Sequence, residues 1–118
     1  MKKEKLGNFT DKRGILMWAS PKILNFKYKY LTIGTMKPNS IRGNHYHKRT
    51  KELFLCIHGS LTVKLGDEKV QWFTLEAGDY MEFPLNIKHT VYNQIPEIAS
   101  FIEFKSEEYN KNEPDTYQ

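Results

Sequence analysis

The sequence predicts an all-β protein of one domain, and three observations predict it. Short runs that alternate apolar and polar residues recur about every eight to twelve residues, and Gly, Pro, Asn or Asp residues separate them. No segment holds a helical period for three turns. With 118 residues the chain has enough material for one hydrophobic core but not for two. Such a pattern is typical of a β-sandwich or a β-barrel.

The N-terminal part of the chain predicts two strands. Residues 1–8 form a polar tail that becomes a strand only by pairing with another strand, and residues 9–14 form a charged turn. Residues 15–18 are a short apolar strand that ends at a Ser-Pro pair. Residues 26–33 alternate aromatic and basic side chains, which is the period of a strand with two unlike faces. A loop over residues 34–40 follows.

The rest of the chain predicts a succession of short strands joined by tight turns. Cys56 lies in an apolar run, and we expect a buried side chain there rather than a reactive thiol. The polar tail over residues 106–118 is either frayed or docked through Tyr109 and Tyr117. The predicted strands cover residues 52–57, 61–65, 70–75, 80–83, 89–92 and 98–104.

Composition and charge narrow the function classes. The chain is 39% apolar with a negative mean hydropathy, and no apolar run is long enough to span a bilayer, so no membrane association is expected. The basic N-terminus precedes no apolar stretch, and a single cysteine rules out an internal disulfide; both favour the cytoplasm. The net charge of +4 suits an anionic partner. Because the basic residues are scattered, a nucleotide diphosphate fits better than a nucleic acid.

The segment around residues 42–59 holds the densest set of metal-binding side chains. His45 and His47 are two positions apart, so an extended strand places both imidazoles on one side. Glu52 opens the next predicted strand, and His89 opens a later one after a proline corner. Such a donor set suits a divalent metal and leaves coordination positions open. Zinc is the first choice and Fe(II), Mn and Ni are alternatives.

The same segments carry the spacing of a known family. One stretch resembles the first cupin motif: His45-x-His47, then four residues, Glu52, six residues and Gly. A later stretch resembles the second cupin motif: Gly, then five residues, Pro, four residues, His89, three residues and Asn. Two glycines usual in these motifs are replaced by Asn39 and Asn86, and Asn tolerates a left-handed backbone better than other non-glycine residues. The resemblance implies a single-domain cupin, a jelly-roll barrel over residues 1–118, with all four ligand positions intact.

The flanking sequence is similar to two kinds of cupin. The order of Asp11–Gly14, residues 26–35 and Arg42–Lys48 is similar to that in 3,4-ketoisomerases of thymidine-diphosphate 4-keto sugars. The chain is also similar to the metal-binding cupin half of bifunctional capsular-polysaccharide enzymes. That similarity lies in Arg42–Lys48, Glu52 and the ending Asn112–Tyr117. Both resemblances imply an isomerase or epimerase of a nucleotide-linked 4-keto sugar in surface-polysaccharide synthesis.

The resemblances leave two catalytic routes open. The ketoisomerases usually lack the acidic ligand and use the histidine pair as acid and base, which would make His45 the base and His47 its partner. Glu52 favours a metal, which would place positive charge beside the developing enediolate oxygen. A metal-bound histidine is not a free base, so another side chain would then carry the proton. The candidates are Tyr28, Tyr30, Tyr46, Lys37 and Glu82.

Substrate-binding residues and assembly complete the predictions. Arg42 is a candidate for the sugar or its diphosphate, with a salt bridge at the barrel rim as the alternative. Tyr28 and Tyr30 are candidates for stacking on the substrate, with core filling as the alternative. We expect a homodimer, since small cupins usually cover an edge strand or an apolar sheet face in this way. A non-catalytic sugar-binding cupin and a small metal-dependent dioxygenase remain alternative functions.

Overall fold

The structure, a computed structural model, describes residues 2–118 as antiparallel strands and one 3₁₀ turn at Pro21–Ile23. Within that range no helix has the length and apolar character that crossing a bilayer requires. The all-β prediction is confirmed. In chain order the strands are β1 (Glu4–Lys5), β2 (Gly7–Asp11), β3 (Gly14–Trp18), β4 (Tyr30–Met36), β5 (Ile41–His45), β6 (Glu52–His58), β7 (Ser60–Leu65), β8 (Gln71–Glu76), β9 (Asp79–Phe83), β10 (His89–Tyr92) and β11 (Ala99–Lys105).

Two sheets enclose the core of this jelly-roll barrel. One sheet has five strands in the order β1-β9-β6-β11-β4, and the other has four in the order β5-β10-β7-β8. The hairpin of β2 and β3 forms a separate two-stranded sheet. β6 lies in the middle of the larger sheet and is buried continuously over Glu52–Cys56. The strand that begins with Glu52 is therefore one of the best-anchored elements of the fold.

Alternation along the strands explains the core. Leu61, Val63 and Leu65 of β7 are buried while the residues between them are partly exposed, which is the period of a strand with one inward face. Cys56 is fully buried in the same core, as the sequence predicts. The core contains Met36, Phe54, Cys56, Leu61, Val63, Leu65, Leu75, Met81, Phe83, Val91, Ala99 and Phe101.

Two predicted segments in the N-terminal part are wrong in their bounds. The strand predicted over residues 26–33 begins only at Tyr30, and it continues to Met36 through the first three residues of the predicted loop. Its partner explains the shift, because β11 pairs with β4 from Ala99 opposite Met36 to Lys105 opposite Tyr30. Tertiary pairing here outweighs the local alternation.

The segment predicted as a charged turn over residues 9–14 is mostly hairpin. β2 extends to Asp11, and only Lys12 and Arg13 connect it to β3. The Arg13 backbone N–H donates to Asp11 Oδ1 at 2.9 Å, which stabilises the turn locally. The preceding tail also supplies β1, which forms by pairing with β9.

The two asparagines that replace motif glycines have the expected backbone conformation. Asn39 has φ 63° and Asn86 has φ 64°, both in the left-handed region. Asn44, within the histidine motif, has φ 62°. Asparagine is among the few non-glycine residues that adopt this conformation readily. The departures from the motif therefore preserve the turns.

Candidate metal centre

Two neighbouring strands place the first pair of histidines. His45 is the last residue of β5 and His89 is the first of β10, and the two lie opposite each other in the ladder. Gly43 allows the close approach of these strands: it has φ +83°, and a Cβ at this position would lie 2.8 Å from the His89 carbonyl oxygen. The approach of the two imidazoles thus depends on a glycine in the motif.

The three imidazoles converge on one point. Nitrogen atoms of His45, His47 and His89 all lie within 4.8 Å of one another. His47 lies just beyond β5, and its Nδ1 donates to the Asp115 carbonyl oxygen at 2.6 Å. Among residues 2–118, the buried His47 Nε2 and His89 Nδ1 have no hydrogen-bond partner. Buried polar nitrogens are normally paired, and a divalent cation is one partner that satisfies imidazole lone pairs.

Glu52 borders the histidine cluster rather than lying inside it. Its Oε1 is 3.6 Å from His47 Nε2 and its Oε2 is 3.7 Å from His89 Nε2, and the residue is 2% exposed. The Lys105 ammonium lies 3.7 Å from Glu52 Oε1 on the other side. The structure thus brings three predicted ligands into one group with the fourth against two of them. Three imidazoles and a carboxylate fit zinc and other borderline divalent metals.

The two buried carboxyl groups near the site ionise differently. Burial tends to raise the pKa of Glu52, but the adjacent His47 and His89 imidazoles outweigh burial and hold this pKa well below its usual range. Burial and the adjacent Glu52 charge raise the pKa of Glu103. At neutral pH we therefore expect a charged Glu52 beside a protonated Glu103, because two adjacent buried carboxylates would repel each other.

The histidines also differ from one another. Burial, followed by the nearby His47, lowers the pKa of His45. Burial likewise lowers the pKa of His89, to about 3. For His47, burial acts in the same direction, but the Glu52 carboxylate and the Asp115 carbonyl outweigh it and the pKa is raised. Without a metal, His45 and His89 are neutral at pH 7, which is the form that binds cations.

The low pKa of His89 predicts an acid-sensitive fold. Between its usual pKa of 6.5 and the folded value of about 3, the unfolded chain binds a proton that the folded chain does not. Stability is therefore complete above pH 6.5 and falls as the pH drops, by up to about 1.4 kcal/mol per pH unit. Urea unfolding of metal-free wild type and His89→Gln from pH 4.5 to 6.5 should show a flatter dependence for the variant. Parallel curves would contradict this assignment.

A cavity of about 280 Å³ opens above the cluster. Its walls combine apolar side chains, such as Phe54 and Phe101, with the three histidines and Glu52. The polar residues that complete the lining were not predicted; they are Glu103, Lys105, Tyr109 and Thr116. For Glu103 and Lys105 a signal existed, since they continue the inward period of β11 from Phe101. Tyr109 and Thr116 come from the C-terminal tail, where no period indicates their position.

The predicted substrate-binding residues divide into two groups. Arg42 lines the cavity at its exposed edge and donates through Nη2 to the Thr35 carbonyl oxygen at 3.3 Å. Tyr28 is 49% exposed and packs edge-on against Phe104, with ring centroids 5.3 Å apart, beside a separate cavity. Tyr30 is 37% exposed and does not line the histidine cavity. Only Arg42 among the three lies in the wall of that cavity.

None of the five proton carriers predicted for the metal-bound route lines the cavity. Tyr28 and Tyr30 lie outside it, and so do the other three, which are Lys37, Tyr46 and Glu82. Tyr46 instead stacks on Tyr117 with ring centroids 5.5 Å apart, and Glu82 accepts a hydrogen bond from Asn25 at 2.8 Å. The ionisable cavity residues outside the four predicted ligands are Arg42, Glu103, Lys105 and Tyr109.

A jelly-roll barrel whose cavity is lined by converging imidazoles has the architecture of a cupin. A family model described as a cupin domain matches residues 32–105, more than half of the chain. The chain belongs to the cupin family. The matched range contains His45, His47, Glu52 and His89. A search of curated proteins finds no match.

Solved structures of three proteins resemble this fold. A 3,4-ketoisomerase from Helicobacter canadensis has 23% identity and a TM-score of 0.81, over 98% of this chain and 87% of that one. A mutant of the 3,4-ketoisomerase QdtA from Thermoanaerobacterium thermosaccharolyticum, in complex with TDP-4-keto-6-deoxyglucose, has 19% identity and a TM-score of 0.80, over 98% and 84%. The capsular polysaccharide assembling protein CapF from Staphylococcus aureus has 22% identity and a TM-score of 0.73, over 78% of this chain and 26% of that one. The chain thus spans about a quarter of CapF, and at these identities the likeness shows the fold.

Proposed function

We propose that this cupin is an isomerase or epimerase that removes a proton next to the ketone of a nucleotide-linked 4-keto sugar. The observation that carries the proposal is the convergence of three imidazoles on a cavity of about 280 Å³ that also holds acidic and basic side chains. The similarity to two 3,4-ketoisomerases and to CapF supports the substrate class. We place the reaction in the synthesis of surface polysaccharides.

The proposed cofactor is a divalent metal, with zinc as the first choice and Fe(II), Mn or Ni as alternatives. His45, His47 and His89 would hold it, with Glu52 as the fourth ligand. When bound, the metal would supply positive charge beside the ketone oxygen. The apolar part of the cavity wall, including Phe83 and Val91, would lower the polarity around the reacting atoms.

Proton transfer would fall to different residues with and without the metal. In the metal-bound enzyme the histidines would be occupied as ligands. The proton carrier would then be Glu103, Lys105 or Tyr109, which line the cavity. In a metal-free enzyme, His45 would be the base and His47 its acid partner. The lowered pKa of His45 and the raised pKa of His47 suit those two roles.

Substrate binding is proposed at the open side of the cavity. Arg42, which lines the cavity, would bind the diphosphate or the sugar through its forked guanidinium. Tyr30 lies opposite Lys105, a residue of the cavity wall, in the β4–β11 ladder. Tyr28 and Tyr30 would contact only a part of the substrate that extends past Lys105.

A homodimer is proposed from the exposed apolar face of β4. This strand lies at the edge of the larger sheet, and Leu31 and Ile33 on it are 47% and 68% exposed. Exposed apolar side chains on an edge strand favour pairing with a second copy.

Ile33→Glu should therefore shift a dimer to monomer, because a charge would be placed in the contact. Analytical ultracentrifugation at micromolar concentration measures this, with Ile98→Glu as a control at another exposed isoleucine. A monomeric wild type would refute the proposed dimer.

The function is tested with TDP-4-keto-6-deoxyglucose, the sugar bound by QdtA, in heavy water. Proton NMR should show the signals of hydrogens next to the ketone disappearing as deuterium replaces them. Binding without exchange would instead indicate a non-catalytic sugar-binding cupin. Oxygen uptake without exchange would indicate a dioxygenase.

A further inference from the structure

The C-terminal segment, residues 110–117, is attached to the loop that carries His47. Tyr117 and Tyr46 exchange two backbone hydrogen bonds, at 2.9 and 3.0 Å, and their rings stack. The Lys48 ammonium lies over the Tyr117 ring, 4.3 Å from its centroid. This segment is therefore a docked part of the fold that reaches the candidate metal centre.

Asp115 makes the most concentrated set of contacts in the segment. Its carboxylate accepts hydrogen bonds from three successive backbone N–H groups, at distances of 3.0, 2.9 and 2.7 Å. The residue is 8% exposed although it lies three positions from Gln118. These charge-assisted bonds fix both the loop and the aspartate. The donors belong to Lys48, Arg49 and Thr50.

The backbone carbonyl of the same residue contacts a candidate ligand directly. Asp115 O lies 2.6 Å from His47 Nδ1. Because a carbonyl oxygen only accepts, Nδ1 must carry the hydrogen, and in a neutral imidazole the lone pair is then on Nε2. That Nε2 is buried and 3.6 Å from Glu52 Oε1. The Nε2 lone pair and the Glu52 oxygen are two acceptors that face each other, so a proton or a cation is needed near them. This arrangement suits a metal ligand.

We propose that Asp115 is a positioning residue for His47. Its carbonyl fixes the Nδ1–H tautomer and aims Nε2 into the cavity, and its carboxylate holds that carbonyl in place through the backbone of residues 48–50. Hydrogen bonds of this kind to the second ring nitrogen orient metal-binding histidines in general. The expected effect on metal affinity rests on the proposed metal site, whereas the tautomer is a property of the protein alone. The prediction for the tautomer and the prediction for metal affinity can therefore be refuted independently of each other.

The first measurement is made on metal-free wild type. Long-range proton–nitrogen NMR at about two pH units above the usual histidine pKa of about 6.5 reports which ring nitrogen carries the hydrogen. His47 should be entirely the Nδ1–H tautomer. A His47 that is Nε2–H, or a mixture of both tautomers, would overturn the proposal without any variant.

The second measurement compares Asp115→Ala with Glu113→Ala. Glu113 lies in the same segment and hydrogen-bonds through its backbone atoms, so its variant removes a carboxylate without touching His47. In Asp115→Ala, His47 should become a mixture of tautomers while His45 and His89 keep theirs. Titration with zinc alone, against a chromophoric chelator, should show affinity lower by about 10- to 100-fold. The Glu113 variant should match wild type in both readouts.

The outcomes separate a positioning role from a purely structural one. If Asp115→Ala unfolds, Asp115→Asn takes its place, since it keeps one acceptor oxygen and should show a smaller change in the same direction. An unchanged His47 tautomer in a folded Asp115 variant would overturn the proposal. A shifted tautomer with unchanged zinc affinity would sustain the positioning role and contradict the metal ligand role of His47.

Discussion

His45→Gln is expected to slow deuterium exchange into the nucleotide 4-keto sugar by at least about 100-fold, since general acid–base catalysis alone contributes about 10²- to 10⁴-fold. The expectation holds for both routes. With a metal, the variant loses one of three clustered imidazoles; without it, the variant loses the proposed base. Glutamine retains most of the volume of histidine, so the cavity should remain intact. Proton NMR in heavy water measures the rate directly.

The matched control is His58→Gln. His58 is the remaining histidine of the chain and lies exposed at the end of β6, away from the cluster. Its variant should exchange at the wild-type rate. If His45→Gln retained wild-type exchange while remaining folded, neither catalytic route could be correct.

Phe101→Ala is expected to lower the free energy of unfolding by about 3–5 kcal/mol, the usual range for a buried phenylalanine. Phe101 is 2% exposed and stacks on Phe54 with ring centroids 5.0 Å apart, forming a wall of the cavity. Gly34 leaves the space that its ring occupies: a Cβ there would lie 2.5 Å from the ring. Denaturant unfolding followed by fluorescence measures the loss.

The neighbouring residue provides a control on the opposite face of the same strand. Ile102 is only partly buried, and alternation along β11 directs it away from the core. Ile102→Ala should therefore cost clearly less than Phe101→Ala. Equal losses for the two variants would contradict the inward and outward assignment of β11, and with it the shape of the cavity.

Much of the fold and the metal-binding cluster could be predicted because they depend on local spacing. His45, Glu52 and His89 lie at strand ends, where turn residues mark the boundary in the sequence. Asn39 and Asn86 occupy turns that require a left-handed backbone, which their side chains tolerate. Period-two alternation then places the core-facing side chains.

The remaining parts of the site depend on contacts between residues distant in sequence. Asp115 meets His47 across a separation of 68 residues, and no periodic pattern in the polar tail indicates that contact. β4 pairs with β11 only from Tyr30 onwards, so residues 26–29 lie outside the strand. Tyr28 packs on Phe104 outside the cavity. The proton carrier could not be selected from sequence because burial and neighbouring charge decide both position and pKa.

The three imidazoles are proposed to form a metal centre that supports the reaction of a sugar ketone. Its most direct test is elemental analysis of protein purified without chelator, followed by the exchange assay before and after the metal is stripped. We expect about one divalent ion per chain, loss of exchange when the metal is stripped, and recovery when zinc is returned. Stripped protein that exchanges deuterium at the undiminished rate would contradict it.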